Sequence, residues 1–287
     1  ETVPDQLRAA VLGDWGTGLY GAPVCAQSIV KDAAKYQFLL HLGDVYYSGT
    51  DAEVAERFLA LWPKVDGALN RALNSNHEMY TGGHAYFQQT LRQFGQKASY
   101  FALQNKDWLL VGLDTAYDDH DLRDPQADWL RGLLANNHSR RLVLFSHHQP
   151  FSLLDGQGPK LVEKLAEFLK TGRIFAWYWG HEHRCVIYDR HPTWRFFGRC
   201  VGHSGYPYFR EPVREFKPDP EHPGWLRIPA RNMVPLGIVL DGSNRHVVGH
   251  EDEYGPNGYM TLEFDGPRLT EFVHSAEGDI VYKKTLT

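Results

Sequence analysis

Cysteine is scarce in this 287-residue chain: Cys25, Cys185 and Cys200 are its only three. So sparse and odd a set is no disulfide scaffold, although a single bridge is left open, and the spacing does not match a structural zinc site. No apolar run reaches transmembrane length, and the first residues lack the pattern of a secretory signal. The chain starts at Glu1 without Met, which leaves a removed leader or a larger parent protein open, and with it the location. A basic surplus is also missing. Thirty Lys and Arg against 35 Asp and Glu give a formal charge of -5. That balance gives no sign of broad nucleic-acid or membrane affinity, and protein partners are not legible. An anionic substrate would have to be attracted locally. Internal repeats, low-complexity blocks and a convincing boundary are absent too, so residues 1–287 are expected to form one layered α/β domain.

What the chain does have is five short, ligand-rich segments, each following a strand-like run. They are Gly13-Asp14-Trp15-Gly16, Gly43-Asp44-Val45-Tyr46-Tyr47, Ser75-Asn76-His77-Glu78, Ser146-His147-His148 and Gly180-His181-Glu182-His183. Taken singly, Asp14 or Asp44 reads as a cap or turn residue, Asn76 as a loop residue, and each histidine as a structural one. Together they offer carboxylate, amide and imidazole donors enough for two adjacent cations. Such a pair can activate water and neutralise charge on a phosphoryl group.

Around these segments the pattern alternates. Leu7 to Gly13, Phe38 to Gly43, Ala72 to Asn76, Leu142 to Phe145 and Ile174 to Trp179 read as strands. Helices are expected over Val24 to Lys35, from Asp51 to about Leu61, over Gln88 to Phe94, from Asp124-Pro125 onward, and over Pro159 to Lys170. Ser99 to Leu103 and Trp108 to Leu113 form a hairpin around Asn105-Lys106-Asp107. Later strands are expected at Trp194 to Val201, Leu236 to Leu240, Arg245 to His250, Met260 to Phe264, Leu269 to His274 and Asp279 to Lys284. Between them, residues 202–232 are rich in Pro, Gly, His and aromatics, an ordered excursion with rings to bury.

The order and content of the five segments resemble the calcineurin-like metallophosphoesterase superfamily, and within it the purple acid phosphatase branch. That resemblance implies a four-layer α/β fold, a central double β-sandwich flanked by helices. It also implies Asp14 as a ligand of the first metal, Asp44 as the bridging carboxylate, Asn76, His147 and His181 around the second, and His183 returning to the first. Gly16 stands where many members carry His, and Tyr47, three residues after Asp44, matches the purple-phosphatase tyrosine. A phenolate there favours Fe(III), with divalent Fe, Zn or Mn beside it.

His77 is implied as the group that stabilises phosphoryl oxygens or protonates the leaving oxygen. His148 is a substrate contact or a structural residue, while His84 and His203 are outside the ligand set. Ser75 replaces a common glycine and adds a hydroxyl near the second metal. Trp15, Tyr206, Tyr208 and Phe209 are either a substrate rim or loop packing. The expected reaction is hydrolysis of a small phosphate monoester. Phosphodiester or nucleotide-pyrophosphate hydrolysis is the alternative within the same chemistry, and a noncatalytic metal-bound regulatory domain is the alternative outside it.

Overall fold

The computed structural model describes residues 1–32, 36–117, 120–156 and 158–287, and counts below refer to these. Two mixed sheets face each other. The first has the order β15 (Ile280–Leu286), β14 (Arg268–Ser275), β13 (Gly258–Asp265), β1 (Gln6–Leu12), β2 (Phe38–His41) and β3 (Leu69–Ala72), and the second β10 (Lys217–Pro218), β11 (Trp225–Ile228), β12 (Gly237–Leu240), β8 (Cys185–Arg190), β9 (Phe197–Val201), β7 (Ile174–Trp179), β6 (Arg141–Ser146), β5 (Trp108–Gly112) and β4 (Phe101–Gln104). In the first sheet, β1 (Gln6–Leu12), β2 (Phe38–His41) and β3 (Leu69–Ala72) run parallel. In the second, the parallel run includes β5 (Trp108–Gly112), β6 (Arg141–Ser146) and β7 (Ile174–Trp179).

Side-chain alternation sorts the residues of these strands into layers. Ala9 and Val11 of β1 join Val143 and Phe145 of β6 in a core shared by the two sheets. Ala10 and Leu12 point the other way, onto Cys25 and Ile29 of helix α1 (Gly21–Lys31). Leu142 and Leu144 likewise pack outward, against Leu130, Leu134, Phe168 and Leu169 of the helices behind the second sheet. Both faces of the central strands are therefore covered, which is why they read as continuous apolar runs. The result is helix, sheet, sheet, helix, as expected for a double sandwich.

One charged contact bridges the sheets. Arg199 of β9 (Phe197–Val201) donates through Nε to Glu271 of β14 (Arg268–Ser275) at 2.9 Å, and Tyr178 donates to the same carboxylate at 2.7 Å. Arg199 and Glu271 are fully buried.

Several expectations need correction. Residues 245–250 form turns and no strand, and Cys185–Arg190 adds a strand, β8, between the expected ones. The third strand ends at Ala72, and Asn76 starts a short helix (Asn76–Met79) whose first turn is capped by Ser75 Oγ. Asp124 makes no cap, since its helix begins at Gln126. The Pro159 to Lys170 stretch is two helices, Lys160–Lys164 and Ala166–Lys170. The first helix ends at Lys31, and its expected continuation to Lys35 runs into positions outside the described residues. The 202–232 excursion is ordered around buried Tyr208, Val213 and Trp225, and β11 (Trp225–Ile228) extends the second sheet. All three cysteines are buried and free. Among the described residues no helix is long and apolar enough to cross a membrane.

Candidate metal centre

Five parallel strands deliver their carboxyl-terminal ends to one rim of the sandwich, the usual place for a ligand site in such sheets. Asp14 follows β1, Asp44 follows β2, Asn76 follows β3, His147 follows β6 and His181 follows β7. The backbone is bent hard there. Asp14 (φ 57°), Asp44 (φ 76°), His181 (φ 70°) and His183 (φ 54°) all hold left-handed conformations, unusual for residues with side chains. Strain of this kind persists where the surroundings fix it, and it gathers at functional sites. Close approach adds a glycine requirement: a Cβ on Gly180 would lie 2.7 Å from Asp14 Oδ2, and one on Gly202 would lie 2.6 Å away.

Asp44 sits at the centre, fully buried. Its two oxygens face different groups. Oδ1 lies 3.2 Å from His147 Nε2 and accepts from Ser75 Oγ at 2.5 Å. His147 Nε2 is in turn 3.1 Å from Asn76 Oδ1 and 3.3 Å from His181 Nδ1. Oδ2 accepts from the Tyr46 hydroxyl at 2.9 Å and lies 3.7 Å from His183 Nε2. His183 Nε2 is also 3.6 Å from Asp14 Oδ1 and 2.5 Å from the Tyr46 hydroxyl. The donors thus divide into two sets, Asn76, His147 and His181 on one side and Asp14, Tyr46 and His183 on the other, with Asp44 common to both.

The tyrosine differs from expectation. After the turn at Asp44 it is the second following residue, Tyr46, whose ring enters the cluster. His77 and Tyr206 hold that ring, with centroids 3.8 and 4.6 Å away. Tyr47 is 60% exposed at the cavity rim and contributes its carbonyl, which accepts from His77 Nδ1 at 2.7 Å. Counting three residues from Asp44 picks out a ring that stands at the rim, whereas the ring inside the cluster is that of Tyr46. His181 and His183 lie in a bend, which lets them face opposite sides of Asp44.

The protein's own electrostatics mark this as a place for cations. Burial raises Asp14 well above the usual carboxylate range, and the Asp44 charge pushes it further. Burial also opposes ionisation of Asp44, but His147 and His183 outweigh it and hold that carboxyl well below its usual value. Burial and neighbouring His147 press His181 down to about 3, leaving its ring neutral, as a ligand must be. His147 donates through Nδ1 to the Leu42 carbonyl at 2.9 Å, which directs the Nε2 lone pair at the cluster. Two buried carboxylates, three imidazoles, an amide oxygen and a phenol form a donor set that fits a pair of metal ions. Asp14, Asp44 and His147 bring ligand atoms within 4.8 Å of one another, as do His147, His148 and His181.

Other expected residues sort clearly. His77 lines the cavity beside the cluster, a space of about 560 Å³. His148 is buried behind it, bonded through Nδ1 to Thr115 Oγ1 at 3.0 Å. His84 is exposed and outside the cavity, and His203 is buried away from it. Trp15 is core packing, donating to the Arg57 carbonyl at 2.7 Å, whereas Tyr206, Tyr208 and Phe209 do line the cavity. Ser75 ties Asp44 to buried Glu78, whose carboxyl is raised to about 7 by burial and by Asp44. Sequence reasoning missed Arg184 and Tyr254 on the cavity wall. The first stands directly after His183, but nothing local marks the second.

Solved structures with this architecture include a purple acid phosphatase from yellow lupin (Lupinus luteus) seeds, 14% identical, with TM-score 0.70, covering 99% of this chain and 55% of that one. GAP50, the anchor in the inner membrane complex of Plasmodium, is 13% identical with TM-score 0.67 over 98% of this chain and 89% of its own. A dimetal phosphatase from Danio rerio is 13% identical with TM-score 0.60 over 98% of each. At such identities the likeness is one of fold, and this chain spans little more than half the length of the lupin protein. No curated protein matches the sequence. The family model of the calcineurin-like phosphoesterases matches residues 7–185, a stretch that carries Asp14, Asp44, Asn76, His147, His181 and His183. With well over half of its length matched, the chain belongs to the calcineurin-like phosphoesterase family.

Proposed function

We propose that this protein hydrolyses small phosphate monoesters at a dinuclear metal centre that uses Asp44 as the bridge. The observation that carries this reading is the division of the Asp44 oxygens between two donor sets. Asp14, Tyr46 and His183 would hold the first ion, and Asn76, His147 and His181 the second. The phenol of Tyr46 favours Fe(III) at the first position, with divalent Fe, Zn or Mn at the second. When bound, such a pair supplies Lewis acidity and a lowered pKa for water.

The remaining work belongs to the chain. His77, its Nδ1 fixed by the Tyr47 carbonyl, lines the cavity, where its other ring nitrogen would stabilise phosphoryl oxygens or give a proton to the leaving oxygen. Ser75 and Glu78 hold Asp44 in place, and the Asp44 backbone N–H adds a bond to Glu78 at 3.2 Å. Arg184 offers a permanent positive charge on the cavity wall. Phosphodiester hydrolysis is the second reading, favoured by the room beyond the cluster.

Turnover of matched monoesters and diesters by the metal-loaded chain tests the choice. Higher kcat/KM for monoesters is expected, with His77→Ala lowering kcat by about 10²–10⁴-fold, the usual contribution of a positioned proton donor. A His77→Ala enzyme with unchanged kcat would remove His77 from the mechanism, and preference for diesters would replace the first reading by the second.

A further inference from the structure

Beyond the cluster the cavity changes character. Its outer wall is built by aromatic rings from three separate parts of the chain: Tyr20, then Tyr206 and Phe209, then Tyr254. Phe209 stacks on Tyr254 with centroids 4.7 Å apart, while Tyr206 packs against His183 at 4.5 Å, so the rings lead from the metal donors out to the rim. Phe209 is nevertheless 56% exposed and Tyr20 39% exposed. Here the exposed rings are contiguous and edged by polar groups, the kind of apolar surface that marks a binding site. The charge of the wall is thin. Apart from histidines, Arg184 is its one cation among the described residues, and Asp155 faces the same space. Arg184 lies against the Tyr208 ring at 5.5 Å, and its buried Nε has no partner among the described residues.

We propose that this aromatic wall is a subsite for a planar ring carried by the substrate, so that the enzyme selects phosphate esters of aromatic or nucleobase-bearing alcohols with a single phosphate. The proposal rests on the hydrolase reading above and specifies its substrate class. A ring stacked on Phe209 or Tyr206 is recognised without regard to sequence or hydrogen-bond pattern, because every such ring has a π-face. A wall with one arginine is poorly suited to a chain of phosphates, whose repeated charges would need several cations.

Two matched pairs test this with the full, metal-loaded chain. Adenosine 5′-monophosphate against ribose 5-phosphate changes only the base, and benzyl phosphate against cyclohexylmethyl phosphate changes only aromaticity, so leaving-group strength stays close. The expected result is a kcat/KM advantage of about tenfold or more for the aromatic member, the scale of one stacked base. A gain confined to the first pair identifies a nucleobase subsite, and a gain in both a general aryl subsite. Phe209→Tyr should keep the ratio and Phe209→Leu should bring it near one.

Equal use of both members in both pairs overturns the proposal and leaves the hydrolase reading standing. If no ester is turned over, calorimetric binding of adenosine 5′-monophosphate decides. Binding weakened by Phe209→Leu upholds the subsite while the hydrolase reading fails, and no binding removes both.

Discussion

The carboxylate of Asp44 and the ring of Tyr46 carry the account at the scale of single residues. Asp44 can bridge because its two oxygens are aimed apart, and Tyr46 can bind because its hydroxyl lies against both Asp44 and His183. If iron occupies the first position, Tyr46→Phe should abolish a tyrosinate charge-transfer band that Tyr47→Phe leaves in place. Visible spectra of the two variants check this, and loss of the band in Tyr47→Phe alone would restore the ligand expected from residue counting. A buried residue away from the site gives a pH prediction. His203 has no partner for either ring nitrogen among the described residues, and burial holds it at about 3 against an ordinary 6.5. The unfolded chain therefore takes up this proton first as pH falls. The stability tied to a neutral His203 is complete above about pH 6.5 and drains away toward pH 3, by about 1.4 kcal/mol per unit. Urea unfolding at pH 7 and pH 5 should show His203→Leu losing less stability than the parent over that interval, and equal losses would refute it.

Elements explain which parts of the sequence could be read and which could not. The ends of β1, β2, β6 and β7 were legible because a buried parallel strand is a short apolar run and a polar candidate donor stands just past it. Residues 245–250 misled because a run of mixed polar and apolar residues alternates in turns as readily as in strands. Which of the adjacent rings, Tyr46 or Tyr47, turns into the cluster depends on a backbone turn at Asp44 that residue type does not encode. Tyr254 was likewise invisible, being brought to the cavity only by pairing with Phe209 across 45 residues of chain. The contact between β9 and β14 yields a prediction at this level. Glu271→Ala leaves Arg199 charged and buried without its partner, so it should cost about 3–5 kcal/mol in chemical unfolding. Replacing both, Arg199→Met with Glu271→Leu, should recover much of the loss, and a single variant as stable as the parent would show that the bridge does not join the sheets.

For the whole molecule, two sheets share a core and their strand ends converge on the buried carboxyls of Asp14 and Asp44. A ligand that binds only the folded state stabilises it in proportion to its affinity. Chelation should therefore lower Tm as well as abolish turnover, a joint effect that a purely surface-bound ion would not give. The most direct measurement is the metal content of the purified chain, by elemental analysis before and after reconstitution, set beside Asp44→Asn. Two ions per chain, falling to one or fewer in Asp44→Asn, is the predicted result. No stoichiometric metal in the parent chain, or two ions retained without the Asp44 carboxylate, would contradict a dinuclear centre bridged by this residue.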